Sequence, residues 1–116
     1  MLETFQLYTK TLAYIVWLFP MVNMFPKAQR FVLGQQLETC ALRFLEQVIR
    51  ANQQTDKAAR LAALRQADVE LQILRALVRV AYELKFVSHG QFVFSTGAVS
   101  ELGKMLGGWQ KQTASA

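Results

Sequence analysis

The stretch LRQADVELQILRALVRVAYEL, residues 64–84, decides the fold. Its apolar residues recur at Leu64, Ala67, Leu71, Leu74, Val78 and Ala81, the three-then-four spacing of one helix face. A second row, Ile73, Leu77, Val80 and Leu84, runs beside the first, so the stripe is wider than one partner helix needs. A narrow polar row remains: Arg65, Asp68, Gln72, Arg75 and Arg79. A helix apolar over most of its girth belongs inside something larger. The cations it keeps must face water, a carboxylate or a phosphate.

The rest of the chain supplies the partners. Upstream, Asn52-Gln-Gln-Thr55 is a polar turn, and Asp56 or Thr55 can cap the central helix, which is expected over about residues 57–87. Before that turn, a helix over about 27–51 buries Leu33, Leu37, Cys40, Ala41, Phe44, Leu45 and Val48. Gln36, Arg43 and Arg50, seven apart, share its outer face. Gly34 inside it costs about 1 kcal/mol relative to Ala and suggests close approach of another backbone. Pro26 suits the first position of this helix, where its missing N–H costs nothing.

The first helix is expected over about 3–23, with Phe5, Tyr8, Leu12, Ile15, Phe19 and Val22 as its stripe and a kink at Pro20. The uncharged run 11–26 is too short for a membrane span of about 20 residues and is broken by Pro20, Asn23 and Pro26. With Glu3 ahead of Lys10 and no small-x-small cleavage site, it is not a signal peptide either, so a cytoplasmic protein without membrane contact is expected.

Downstream, Ser88 can cap a fourth helix that starts at 89 or, after an irregular Phe-rich segment, at 95, and runs to about 112. Phe92, Ser95, Val99, Leu102, Leu106 and Trp109 form its stripe. Thr96, Ser100, Gly103 and Gly107 form a small-residue row that admits a close neighbour. The polar tail 110–116 is expected to fray. Four amphipathic helices with short connections make an all-α, antiparallel up-down four-helix bundle occupying the whole chain as one domain.

Composition narrows the function. A hydrophobic fraction of 53% in 116 residues leaves apolar surface after folding, which favours homo-oligomers. The single Cys40 excludes a disulfide framework and reads as core. The single His89, read as a helix-start or loop residue, cannot complete a bundle metal site. There is no phosphate loop, HExxH or nucleophile–base pair. No enzyme and no cofactor are therefore expected. The net charge of +5 is spread over three segments without a polybasic run, which fits an anionic partner.

The candidate contacts are Lys27, Arg30, Arg43, Arg50, Arg65, Arg75 and Arg79. Two readings are open. The arginines can form seam ion pairs, Asp68 with Arg65 or with a neighbouring helix, because the guanidinium fork suits a carboxylate. Alternatively they hold a nucleic-acid backbone without reading its sequence. Base stacking is not expected, since the aromatics fall mostly in core stripes.

Four stretches carry a resemblance: WLFPMVNMFPK at 17–27, QRFVLGQ at 29–35, LRQADVELQILR at 64–75 with Leu77-Val-Arg79, and ELGKMLGGW at 101–109. In this order they resemble the Avd family, the accessory variability determinant proteins of diversity-generating retroelements. The related bundle proteins of ribosomal RNA intervening sequences share the architecture. The resemblance implies a homopentameric basic barrel without catalytic activity that binds nucleic acid and the element's reverse transcriptase. That complex copies a template-repeat RNA into adenine-mutagenised cDNA. Arg30, Arg75 and Arg79 match basic positions of the family pattern. The uncharged, Phe-rich segment 90–97 departs from it, since similar proteins begin the fourth helix with charged residues. The alternative function is a structural, protein-interaction bundle of the intervening-sequence type with no nucleic-acid role.

Overall fold

The computed structural model describes residues 2–116. Helix α1 spans Leu2–Asn23. Helix α2 opens with one turn, Lys27–Gln29, passes through a π-helical segment, Arg30–Gly34, and continues as Gln35–Gln53. Helix α3 spans Lys57–Glu83 and α4 spans His89–Ser115. The order of packing is α1 on α2, α2 on α3, α3 on α4 and α4 back on α1, an up-down four-helix bundle. At 1.5 Å per residue, a 27-residue helix is about 40 Å long, which sets the 46 Å long axis.

The first row of the central stretch is the core: Leu64, Ala67, Leu71, Leu74, Val78 and Ala81 are all buried. Leu37, Cys40, Ala41, Phe44 and Val48 of α2 and Val99, Leu102, Leu106 and Trp109 of α4 meet them. The second row behaves differently. Ile73, Val80 and Leu84 lie exposed, with Val69 beside them.

The face of α1 differs from the expected one. Its core side is Leu7, Thr11, Tyr14, Leu18, Met21 and Val22; of the expected stripe Val22 is buried, while Phe5 is 64% and Tyr8 39% exposed. Two polar side chains enter the core because their hydroxyls are satisfied. Thr11 Oγ1 donates to the Leu7 carbonyl at 2.7 Å, and Tyr14 and Ser95 hydroxyls bond at 2.8 Å.

The helix ends have identifiable causes. Pro26 is the cap before α2 rather than its first residue, and its carbonyl accepts from Gln29 and Arg30. Asp56 caps α3 through Oδ2, which accepts from Ala59 N–H at 2.9 Å. Helix α3 stops four residues earlier than expected. Lys85, at φ 66°, turns the chain, with Phe86 N–H bonded to the Ala81 carbonyl and Lys85 N–H to that of Tyr82, a Schellman arrangement. Helix α4 begins at His89, because Ser88 and Gln91 form a reciprocal capping box. Segment 90–97 is therefore helical, and the tail is helical through Ser115, with Thr113 buried and Lys57 Nζ on the Ala116 carbonyl at 3.1 Å.

Candidate nucleic-acid interface

The bundle divides the seven candidate cations instead of gathering them. Arg43 and Arg50 stand exposed on the outer side of α2, and Arg65 and Arg79 on that of α3. The contact of Cys40 with Glu70 and that of Ala51 with Arg60 fix the antiparallel level of these two helices. Arg43 and Arg65 thus lie within about one helical turn of the same level. Neither forms an ion pair among the described residues, and neither does Asp68, so the expected Arg65–Asp68 pair is not formed. Arg50 reaches Glu46, and Arg79 reaches Glu83, each at 3.4 Å and one turn apart on its own helix. Such exposed pairs contribute about 0.3–0.5 kcal/mol and leave the guanidinium free to take another anion.

Arg75 differs from the other arginines. It is half-buried in the α3–α4 seam, where Nη1 donates to Ser100 Oγ at 3.3 Å. A Cβ on Gly103 would come within 3.8 Å of its Nη2. Ser100 and Gly103, two members of the small-residue row, make room for this side chain. Gly107 faces open space, so the row as a whole does not pack a neighbour. Lys27 and Arg30 lie at the start of α2, at the end of the bundle where Arg79 also lies and away from Arg43, Arg50 and Arg65. Lys27 is exposed, while Arg30 is half-buried with an Nε that has no acceptor.

Other polar groups serve the structure. Arg60 Nε and Nη2 donate to the Ala51 and Gln54 carbonyls at 3.1 and 2.6 Å, closing the C-terminus of α2. Lys10 and Glu101 pair at 2.6 Å across α1 and α4. Glu70 is only 7% exposed and lies against α2, where its carboxylate accepts from Gln66 Nε2 at 3.2 Å and from Cys40 Sγ at 3.5 Å. Burial first, and then Glu70, pushes the Cys40 thiol up to about 11, so it stays protonated. Burial pushes Tyr14 up to about 12, with the Ser95 hydrogen bond opposing.

Gly34 is close to a side chain of α1, not to that helix's backbone. A Cβ there would lie 2.6 Å from Val22 Cγ1 of α1. The surface also holds aromatics: Phe5, which the sequence assigns to the stripe of α1, is exposed, and so are Phe31 and Phe94. The signal for them was the phase of α1 and the π-helical register shift in α2, neither of which periodicity resolves. Among the described residues, no three of His, Cys, Asp or Glu converge to hold a metal ion, and no helix is long and apolar enough to cross a membrane.

Fold and surface together define a small helical bundle with exposed apolar rows and a basic excess on α2, α3 and α4. The sequence matches the bAvd-like family over residues 6–113, and the chain belongs to that family. Among solved structures it is similar to a protein of unknown function from the S23 ribosomal protein family of Bacteroides thetaiotaomicron VPI-5482. The TM-score is 0.87 at 16% identity, covering 94% of this chain and 98% of that one. At that identity the likeness speaks for the fold. No curated protein matches the chain.

Proposed function

We propose that this chain is a non-enzymatic accessory protein of a diversity-generating retroelement. Copies assemble, pool their positive charge, and hold RNA or cDNA by its backbone beside the reverse transcriptase during mutagenic copying. The observation that carries the reading is the pair Arg43 and Arg65, exposed at neighbouring levels of α2 and α3 without ion pairs among the described residues. Membership of the bAvd-like family supports it. Self-association has its own support: the exposed row Val69, Ile73, Val80 and Leu84 on α3, and Phe5 and Tyr8 beside Ile49 at the open groove between α1 and α2. Association into a pentamer is part of this proposal.

The test is binding of single-stranded RNA over a salt series, together with co-purification of a reverse transcriptase encoded beside the gene. Replacing Arg43 and Arg65 by Ala is expected to flatten the log K against log[salt] slope by about 0.7 for each phosphate no longer neutralised. Failure of the polymerase to co-purify, with no salt-dependent RNA binding, would refute the proposal.

A second reading has its own observation: Arg75 is already engaged in the α3–α4 seam, and Arg50 and Arg79 are paired within their helices. Under that reading the chain is a structural bundle acting through protein contacts alone. Replacing Arg75 and Arg79 together would then break the assembly, read by light scattering. Under the first reading the assembly survives and RNA affinity falls.

A further inference from the structure

The geometry points to one end of the bundle, where α1 meets α2 and α3 meets α4, as a docking site for an acidic amphipathic helix of a protein partner. The two connections touch there: the Phe25 and Phe86 rings lie 5.8 Å apart, and Phe25 is fully enclosed. Around this rigid base the surface is unusually apolar. Met24 is 80%, Phe31 68% and Leu84 53% exposed, with Val32 also open to solvent.

Cations outnumber carboxylates at this end. Lys27, Arg30 and Lys85 form no ion pair among the described residues. The carboxylate of Glu83 is already taken by Arg79. Cations around exposed aliphatic groups complement a helix with a Leu-type face flanked by Glu or Asp.

The same end departs from the cheapest local structure in three ways. Segment Arg30–Gly34 is π-helical, a form that concentrates at functional sites. Lys85 holds φ 66°, a conformation that glycine adopts at lower cost. The Arg30 Nε is buried without an acceptor. A fold that is locally consistent elsewhere, and relaxes its rules at one end, marks that end for a role outside its own stability.

The shape separates this partner from other anions. An open cleft lined by Tyr82, Glu83, Lys85, Val87 and Ser88 lies between the end of α3 and the start of α4. A concave site accepts protein side chains, whereas a bilayer calls for protruding ones. Phe31 is the one ring of this patch that a base could stack on, and Met24, Val32 and Leu84 add aliphatic surface that a base or phosphate does not use. The site goes beyond the nucleic-acid reading: it shares Lys27 and Arg30 with the candidate cations and uses none of Arg43, Arg50 or Arg65.

The test uses the full chain and fluorescence anisotropy. One labelled peptide has Leu at helical spacing and Glu at the flanking positions; a second has Lys in place of Glu. Two variants are compared with the wild type, Phe31→Ser with Val32→Ser, and Lys27→Glu with Lys85→Glu, each with its helical content checked by circular dichroism. Saturable binding of the acidic peptide is expected, at least tenfold weaker in each variant, with no binding of the lysine peptide. The inference is overturned if the acidic peptide fails to bind, if either variant binds it as the wild type does, or if the lysine peptide binds equally. It is also overturned if the Phe31→Ser, Val32→Ser variant, which keeps every cation, loses binding to phosphatidylserine vesicles or to a single-stranded oligonucleotide in parallel, which assigns the end to lipid or polynucleotide. Absence of oligonucleotide binding by the wild type defeats the nucleic-acid reading alone and leaves the peptide result to decide this one.

Discussion

Replacing Gly34 by Ala sets two effects against each other. In an ordinary helix interior the change stabilises by about 1 kcal/mol, because glycine loses more backbone freedom on folding. Here the new Cβ would stand 2.6 Å from Val22 Cγ1, well inside the ~3.5–4.0 Å at which carbon atoms rest. Val22 is fully buried and β-branched, so it cannot swing away. Overpacking of this kind costs about 1–3 kcal/mol, and so short an approach belongs near the upper end. The net expectation is a loss of about 2 kcal/mol, or roughly 8 °C in Tm for a chain of this length. A double-mutant cycle isolates the cause. Val22→Ala alone removes two enclosed methyl groups and costs about 2 kcal/mol. Combined with Gly34→Ala it should cost less than the sum by about 3 kcal/mol, the steric term alone, because the new methyl occupies the vacated space. Urea unfolding of the four proteins measures this. An additive cycle, or a Gly34→Ala protein as stable as the wild type, refutes the steric account.

Three further outcomes are expected. Asp56→Ala and Ser88→Ala each remove a side-chain cap and should lower stability by about 1 kcal/mol in urea unfolding, with all four helices retained. Lys85→Gly should raise stability by about 0.5–1 kcal/mol, since the residue at φ 66° then needs no left-handed side-chain accommodation; a neutral result would mean that the turn is not strained. The third concerns alkaline pH. Cys40 and Tyr14 hold their protons more tightly in the folded chain than in the unfolded one, whose ordinary values are 9.0 and 10.0. Their contribution is complete below about pH 9 and is lost as pH rises through about 11 for Cys40 and about 12 for Tyr14. Cys40→Ala with Tyr14→Phe should flatten the fall in stability measured by urea unfolding between pH 8 and 11.

The core rows of α3 and α4 were legible because each keeps unbroken helical spacing, although the second row of α3 keeps it too and lies largely exposed. In α1 nearly every position from 11 to 22 is apolar, so two phases compete on hydrophobicity alone. The true one buries Thr11 and Tyr14, and only the hydroxyl partners Leu7 and Ser95 make that tolerable. The end of α3 was hidden for a related reason. Leu84, Phe86 and Val87 prolong the apolar pattern, and the turn is made by a lysine where glycine is the usual signal. The start of α4 looked irregular from its glycines and its β-forming Phe-Val-Phe run. The Ser88–Gln91 capping box and the burial of Ser95 and Val99 override that propensity. The arginines show the limit most plainly. Arg65 and Arg75 belong to one polar row of the sequence, yet Arg65 is open and Arg75 lies against Ser100. Which of them can take an outside anion depends on the residues of α4 opposite, far away in the chain.

Salt separates the two functional readings. If copies associate through the apolar rows of α1 and α3, each brings a net charge of +5 close to an identical neighbour. That repulsion opposes assembly, and screening it with salt should tighten the oligomer, since burial of apolar surface is not weakened by ionic strength over this range. RNA affinity should move the other way, because every phosphate contact returns a counterion to a more concentrated bath. Light scattering and RNA anisotropy on the same samples, from 50 to 500 mM salt (roughly 14 to 4 Å in screening length), would then slope in opposite directions. If the assembly instead loosens along with RNA binding, the copies are held by ion pairs. The arginines would then be the seam itself, and the structural reading would replace the scaffold for nucleic acid.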